Sequence, residues 1–235
     1  MEFTYIADGI DAVVIDNFYT EDQLKLINIE LKWLCKKSIM SSDKESLVPA
    51  VHPDSGEIMT KKSGVFLEAV FKNWNHSALI SFGFEQTNTE EFRTNLLKYN
   101  GLFKLFFHCN IRNHLLSYYE NSDYYKPHID SSIFTILNYF NIEPKQFSGG
   151  ELVLHNATNS KQATIEYRNN RTVIIASCTM HEVKPIVSNM SNSLSGYGRF
   201  CNSVFIGYED SRETNTRKLT QMEINLLKAR EMKLT

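Results

Sequence analysis

The chain has 235 residues, 42% of them hydrophobic, which is enough for one sizeable core, or one with an appendage. Its formal net charge of −2 argues against a nucleic-acid partner, because phosphate contacts need a basic excess. No uninterrupted apolar run approaches the roughly 18 residues that span a bilayer, so no membrane partner is expected.

The N-terminus, "MEFTYIADGIDAVVID", carries acids at Glu2, Asp8 and Asp11 and no basic residue before its apolar run, so it does not read as a secretory leader. "TEDQLKLINIELKWLCKK" opens with a capping box, Thr20 answered by Gln23, and Leu24, Ile27, Leu31 and Leu34 recur at helical spacing. The stretch 38–64, rich in Ser, Asp and Lys with prolines at Pro49 and Pro53, reads as a long loop. It mixes acids with apolar side chains and is a candidate lid over a site. "GVFLEAVFKNW" reads as a short helix, and "TNTEEFRTNLLKYNGLFKLFFH" as a helix capped by Thr87 and Glu90.

From about Ile111 short runs rich in Tyr, Ile, Val, Thr and Phe alternate with turn residues. Strands are expected in "IRNHLLSYY", "YYKPHID", "FTILNYF", "GELVLH", "ATIEY", "RTVIIAS", "HEVKPIV" and "RFCNSVFIGY". Many short strands at this spacing suggest a sandwich, barrel or jelly roll. "TRKLTQMEINLLKAREMKLT" reads as the closing helix of a C-terminal segment, 209–235. The chain is thus expected to be one domain: a mostly helical support over 1–110, a β core over 111–208 and the C-terminal helix. Cys35, Cys109, Cys178 and Cys201 are scattered with no CxxC pair, which reads as free thiols in a cytoplasmic protein.

The residues that carry chemistry lie in the β-rich half. His128 and Asp130 stand two apart beside a strand and so share a face. His181 follows the apolar run "TVIIAS", and Arg199 heads the last strand. Two neutral imidazoles and one carboxylate on one face of an octahedral iron(II) leave three positions open. A 2-oxo acid can chelate through two of them, and a guanidinium suits its far carboxylate. Each residue also has a plainer reading, as an edge-strand pair, a core histidine and a surface ion pair. His52, His76, His108, His114 and His155 have no partners at ligand spacing and read as structural or surface residues.

Taken in order, "YYENSDYYKPHID", "FSGGELVL", "NNRTVIIASCTMHEV" and "GYGRF" resemble the iron(II)- and 2-oxoglutarate-dependent oxygenases, in particular the prolyl 4-hydroxylase-like branch. The likeness runs from about Leu115 to Tyr208. It implies a mainly β, α+β fold: a double-stranded β-helix of the jelly-roll, cupin-like kind with N-terminal helices packed on it. It implies that His128, Asp130 and His181 bind iron(II), that Arg199 binds the distal carboxylate of the co-substrate 2-oxoglutarate, and that Tyr119 joins it. Thr135 and Ser203 are candidates to line the same pocket. Prolyl 4-hydroxylases usually carry Lys where this chain has Arg199. The implied activity is a dioxygenase that hydroxylates an unactivated C–H bond of a prolyl or other amino-acid side chain, free or in a peptide, with ascorbate as a possible auxiliary. The alternatives are a cupin-like metal enzyme that uses no 2-oxoglutarate, and a non-catalytic jelly-roll binding module. Gly149 and Gly150 read as a tight turn with a fold role.

Overall fold

The computed structural model describes residues 1–42, 55–189 and 193–209. The middle of the stretch expected to form a lid and nearly all of the expected C-terminal helix lie outside these residues. The N-terminal part runs β1 (Glu2–Ile6), β2 (Ala12–Asp16), α1 (Glu21–Leu34), β3 (Ser41–Ser42), β4 (Thr60–Lys61), β5 (Ser63–Phe66), α2 (Leu67–Val70), α3 (Ala78–Thr87) and α4 (Glu90–Leu96). Then come β6 (Ile111–Tyr119), β7 (Tyr124–His128), β8 (Phe134–Phe140), β9 (Ser148–Gly149), β10 (Leu152–His155), β11 (Gln162–Ile165), β12 (Thr172–Ala176), β13 (Met180–Val183), β14 (Ile186–Val187) and β15 (Arg199–Gly207). Every strand expected after Ile111 is present.

Two antiparallel sheets face each other. The large one has the order β1-β2-β12-β8-β15-β6-β5-β3, and the small one β11-β10-β13-β7-β4. All seven residues of β8, "FTILNYF", are buried because this central strand is covered on both sides. Its Phe134, Ile136 and Phe140 pack with Ile27, Leu31, Leu79 and Phe92 of the helices. Leu137 and Tyr139 point the other way and pack with Leu152, Leu154 and Val183 of the small sheet. The fold is therefore mainly β, a jelly roll backed by helices on one outer face.

The helical support is less helical than the sequence suggests. "EFTYI" and "AVVID" form a hairpin that joins the large sheet through β2 and β12. Arg171 clamps it by a bidentate pair to Asp16, with Nε–Oδ1 and Nη2–Oδ2 both at 2.7 Å. The Thr20–Gln23 capping box of α1 forms as expected. The expected cap at Thr87 does not. Thr87 closes α3 and donates to the Gly83 carbonyl, while Thr89 caps α4 by accepting from the Phe92 N–H. The helix expected over this stretch is also broken: α4 ends at Leu96, and a 3-10 segment, Gly101–His108, restarts after the Asn100 cap. A buried Glu30 on α1 holds the N-terminus of α3, accepting from Ser77 Oγ at 2.7 Å and from the Leu79 N–H at 3.2 Å. Burial pushes its carboxyl above the ordinary range. Glu30→Ala strips α3 of this cap and is expected to lower stability by about 1–3 kcal/mol, measured by denaturant unfolding.

The stretch expected to be a loop over 38–64 is ordered at both ends. Ser41–Ser42 pairs with β5, Thr60–Lys61 pairs with β7 of the small sheet, and Ser63–Phe66 pairs with β6 of the large sheet. One short run of chain thus passes from one sheet to the other and closes that side of the cup between them.

Candidate metal centre and co-substrate pocket

His128 closes β7 and sits directly opposite His181 on the neighbouring antiparallel β13. Cross-strand partners share a face, so both imidazoles enter the cup together, with ring centroids 4.1 Å apart. Asp130 lies just past the end of β7, with Ile129 between them turned outward and 57% exposed. The Asp130 N–H donates to the Ser177 carbonyl at 2.9 Å, which fixes the carboxylate toward the histidines.

The hydrogen bonds assign the tautomers. His128 Nδ1 lies 2.8 Å from the Lys126 carbonyl, and His181 Nδ1 lies 2.9 Å from the Thr179 carbonyl. A carbonyl only accepts, so each Nδ1 carries the hydrogen and each Nε2 presents a lone pair. Those Nε2 atoms lie 3.7 and 3.6 Å from the two Asp130 oxygens. The three side chains offer one ligand atom each, all within 4.8 Å of one another. Burial, with the neighbouring His181 adding to it, pushes the His128 imidazole down to about 3, so it stays neutral and ready to ligate. Tyr125 stacks on the His128 ring at 3.5 Å and holds its plane. Two neutral imidazoles and a carboxylate converging from one side fit the facial triad of a non-haem iron(II) site.

Thr135 behaves differently from expectation. It is fully buried, is not among the residues lining the cup, and its hydroxyl donates to Asp130 Oδ2 at 2.6 Å. In this position it orients the carboxylate. Thr135→Val should lower iron(II) affinity by roughly 10- to 100-fold, the usual cost of losing an outer partner of a ligand, as followed by anaerobic metal titration.

Arg199 enters the same cup from β15, paired across the ladder with Tyr119 on β6. It is 1% exposed, and its Nε and Nη1 have no hydrogen-bond partner among the described residues. Aromatic walls surround it: its guanidinium carbon lies 4.9, 4.7 and 5.4 Å from the ring centroids of Tyr119, Tyr139 and Tyr167. Burial pushes the phenols of Tyr139 and Tyr167 up, so the walls stay neutral. Such a guanidinium needs an anion, and a carboxylate from a ligand fits it. Lining the cavity between Arg199 and the His-Asp-His cluster are Tyr119, Leu137, Cys201 and, as expected, Ser203.

Gly150 makes room for that arginine. Its φ is +75°, and an added Cβ would stand 2.9 Å from Arg199 Cδ and 2.3 Å from Ile186 Cδ1. Its role therefore goes beyond a turn. Gly150→Ala should cost about 1–3 kcal/mol of stability and displace the guanidinium, read as a lower Tm together with weaker 2-oxoglutarate binding.

Residues 114–200 match the family model described as the 2OG-Fe(II) oxygenase superfamily. This match takes in most of the β-rich half of the chain, and with it the His-Asp-His cluster and Arg199. Enzymes of the superfamily use iron(II) and 2-oxoglutarate, and the chain is a dioxygenase of this kind. Its fold is shared with a prolyl-4-hydroxylase from Pseudomonas putida, at a TM-score of 0.57 and 14% identity, over 85% of this chain and 93% of that one. It is shared equally with a prolyl hydroxylase from Trichoplax adhaerens, solved with a peptide fragment of the hypoxia inducible factor oxygen degradation domain. That match has a TM-score of 0.60 at 14% identity, over 88% and 87% of the two chains. No curated protein matches the sequence.

Two features of this oxygenase site were not apparent from the sequence. Tyr125, one of four tyrosines crowded into 118–125, stacks on a metal-ligand candidate. Lys62, expected within a loop, lines the cup. The other expectations about histidines hold for the residues described: His114 pairs with Glu68 at 2.8 Å and His155 with Glu182 at 3.4 Å, both outside the cluster. The four cysteines are free.

Proposed function

We propose that this oxygenase hydroxylates an unactivated C–H bond of an amino-acid side chain, prolyl or other, either free or in a peptide. The observation that carries the reading is the pairing of two half-sites in one cup: a preformed His-Asp-His cluster, and a buried guanidinium whose Nε and Nη1 have no hydrogen-bond partner among the described residues. His128, Asp130 and His181 hold the iron, and Arg199, flanked by Tyr119, takes the far carboxylate of 2-oxoglutarate. When bound, iron(II) with 2-oxoglutarate and dioxygen supplies the oxidising power for the insertion of one oxygen atom, with succinate and carbon dioxide as by-products. The chain's own residues orient the ligands through their Nδ1 hydrogen bonds, anchor the co-substrate, and exclude water with aromatic walls. The amino-acid class rests on shared fold: both relatives named above are described as prolyl hydroxylases, one of them in complex with a peptide.

A cupin-like enzyme without 2-oxoglutarate would have no use for Arg199, and a binding module would have none for the oriented imidazoles. The test begins with anaerobic iron(II) and 2-oxoglutarate. A visible charge-transfer band is expected on mixing, followed after admission of air by a mass gain of one oxygen atom on an amino acid or peptide. Absence of the band would remove the co-substrate reading. Oxidation confined to oligonucleotides or lipids would remove the amino-acid reading.

A further inference from the structure

"DSSIFT" spaces three oxygen-bearing side chains over a short run, Asp130, Ser132 and Thr135. The neighbouring β12 brings a fourth. Past the end of that strand the ladder to the β8 side continues for one residue, the Ser177 N–H donating to the Ile133 carbonyl at 3.0 Å. Three hydroxyls thereby form a row that ends on the carboxylate. Ser132 Oγ lies 2.6 Å from Ser177 Oγ, Ser177 Oγ 2.9 Å from Thr135 Oγ1, and Thr135 Oγ1 2.6 Å from Asp130 Oδ2. Thr135 and Ser177 are fully buried and Ser132 is half-buried. Neither serine lines the cup.

Counting hydrogens gives the row a direction. An ionised carboxylate only accepts, so the single hydroxyl hydrogen of Thr135 goes to Asp130. Toward Ser177, Thr135 then only accepts, and Ser177 spends its own hydrogen there. Ser132 in turn donates to Ser177. Three hydrogens serve three contacts, and all point at Asp130. The longer contacts of Ser132, 3.1 Å to the Phe134 carbonyl and 3.5 Å to Thr135 Oγ1, compete only for the outermost hydrogen. Hydrogen bonds aligned head to tail polarise one another, and a charged acceptor at the end makes each stronger.

The main chain of Ser177 serves the same group, since its carbonyl accepts from the Asp130 N–H at 2.9 Å. Two residues on, the Thr179 carbonyl accepts from His181 Nδ1 at 2.9 Å, and the Thr179 N–H donates to the Ala176 carbonyl at 2.8 Å, which closes the turn. The turn between β12 and β13 thus holds two members of the cluster. It grips Asp130 by the backbone and hydroxyl of Ser177, and His181 by the backbone of Thr179.

We propose that Ser177 and Ser132 are positioning residues for Asp130. They fix the direction of the Thr135 hydroxyl, and through it the plane of the carboxylate, so that the cluster is set before iron(II) arrives. The assignment rests on the function proposed above and deepens its metal centre.

The experiment uses the full chain as wild type, Ser177→Ala, Ser132→Ala and Thr135→Val, and each serine change combined with Thr135→Val. Iron(II) and cobalt(II) are titrated without oxygen, the visible absorption of cobalt(II) reporting the ligand arrangement. Melting curves of the metal-free proteins follow the fold. Ser177→Ala should lower the affinity for both metals by about 3- to 10-fold and Ser132→Ala by about 2- to 4-fold, less than direct loss of Thr135 because each acts through another hydroxyl. Ser177→Ala should also alter the cobalt(II) spectrum and leave the metal-free Tm near that of wild type. Once residue 135 is valine, neither serine change should weaken the metal further, because the row no longer reaches the carboxylate. A serine that only supported the turn would keep its full effect in that background. The assignment is overturned if Ser177→Ala binds metal as wild type does, or if it costs the same factor with and without Thr135→Val. Should Ser177→Ala fail to fold, Ser132→Ala at the half-buried end decides by the same two comparisons. A wild-type chain that bound neither metal would strike the metal centre itself, a failure distinct from serines that prove silent.

Discussion

Arg199→Leu is expected to weaken 2-oxoglutarate binding by about 30- to 4,000-fold while iron(II) still binds. The range follows from about 2–5 kcal/mol for truncating one partner of a buried, hydrogen-bonded charge pair. The metal should be spared because the ligand atoms come from β7, the turn after it and β13, and none comes from β15. The same change should carry an opposite sign for the ligand-free protein. In its absence Arg199 is a fully buried cation with Nε and Nη1 unpartnered, held against three tyrosine rings. Leaving such groups without partners costs free energy, and an apolar side chain does not incur that cost. The Tm of ligand-free Arg199→Leu should therefore equal or exceed that of wild type. Titration of 2-oxoglutarate under anaerobic iron(II) and a melting curve give the two readings. Unchanged co-substrate affinity would take Arg199 out of the site, and a sharp fall in Tm would make it a structural residue.

His181→Ala is expected to abolish turnover and to reduce iron(II) affinity by more than the roughly 100-fold that a mere orienting partner costs. Under the proposed reading His128, Asp130 and His181 are the protein ligands, and removing one leaves a His-carboxylate pair that cannot define a face of the metal. The histidine is 3% exposed and its Nδ1 bond to Thr179 is local, so the loss of metal should exceed any loss of fold. Circular dichroism on the ligand-free variant separates the two. Full iron occupancy in His181→Ala would disprove the triad.

What was legible beforehand follows from how local each signal is. The strands after Ile111 announce themselves because each is short, β-branched or aromatic, and bounded by turn residues, with "FTILNYF" apolar enough for two covered faces. The His-x-Asp pair needs only the two-residue period of extended chain, and His181 and Arg199 take their meaning from order along the sequence. The features that escaped depend on distant pairing. "AVVID" is a strand because β12 lies beside it, some 160 residues on, and nothing in its flanks separates it from a buried loop. Lys62 faces the cup because β6 and β7 both claim the chain around it. Thr135 sits at the expected place, on the inner face of β8, but the carboxylate it serves is Asp130, which only the turn after β7 brings within 2.6 Å. Thr87 and Thr89 both satisfy a helix-start pattern, and the neighbouring α3 decides between them by using Thr87 as its own last residue.

The run from Thr60 to Phe66 is hydrogen-bonded to β7 on one side of Lys62 and to β6 on the other. It acts as a tie between the two walls. Spreading the walls along this side would require breaking ladder bonds in one sheet or the other, and each broken bond would expose backbone groups to an apolar interior. The distance between the wall that carries His128 and the wall that carries Tyr119 is therefore set by covalent chain length. The container is rigid on this flank, and its selectivity by size is fixed at folding, before any ligand arrives.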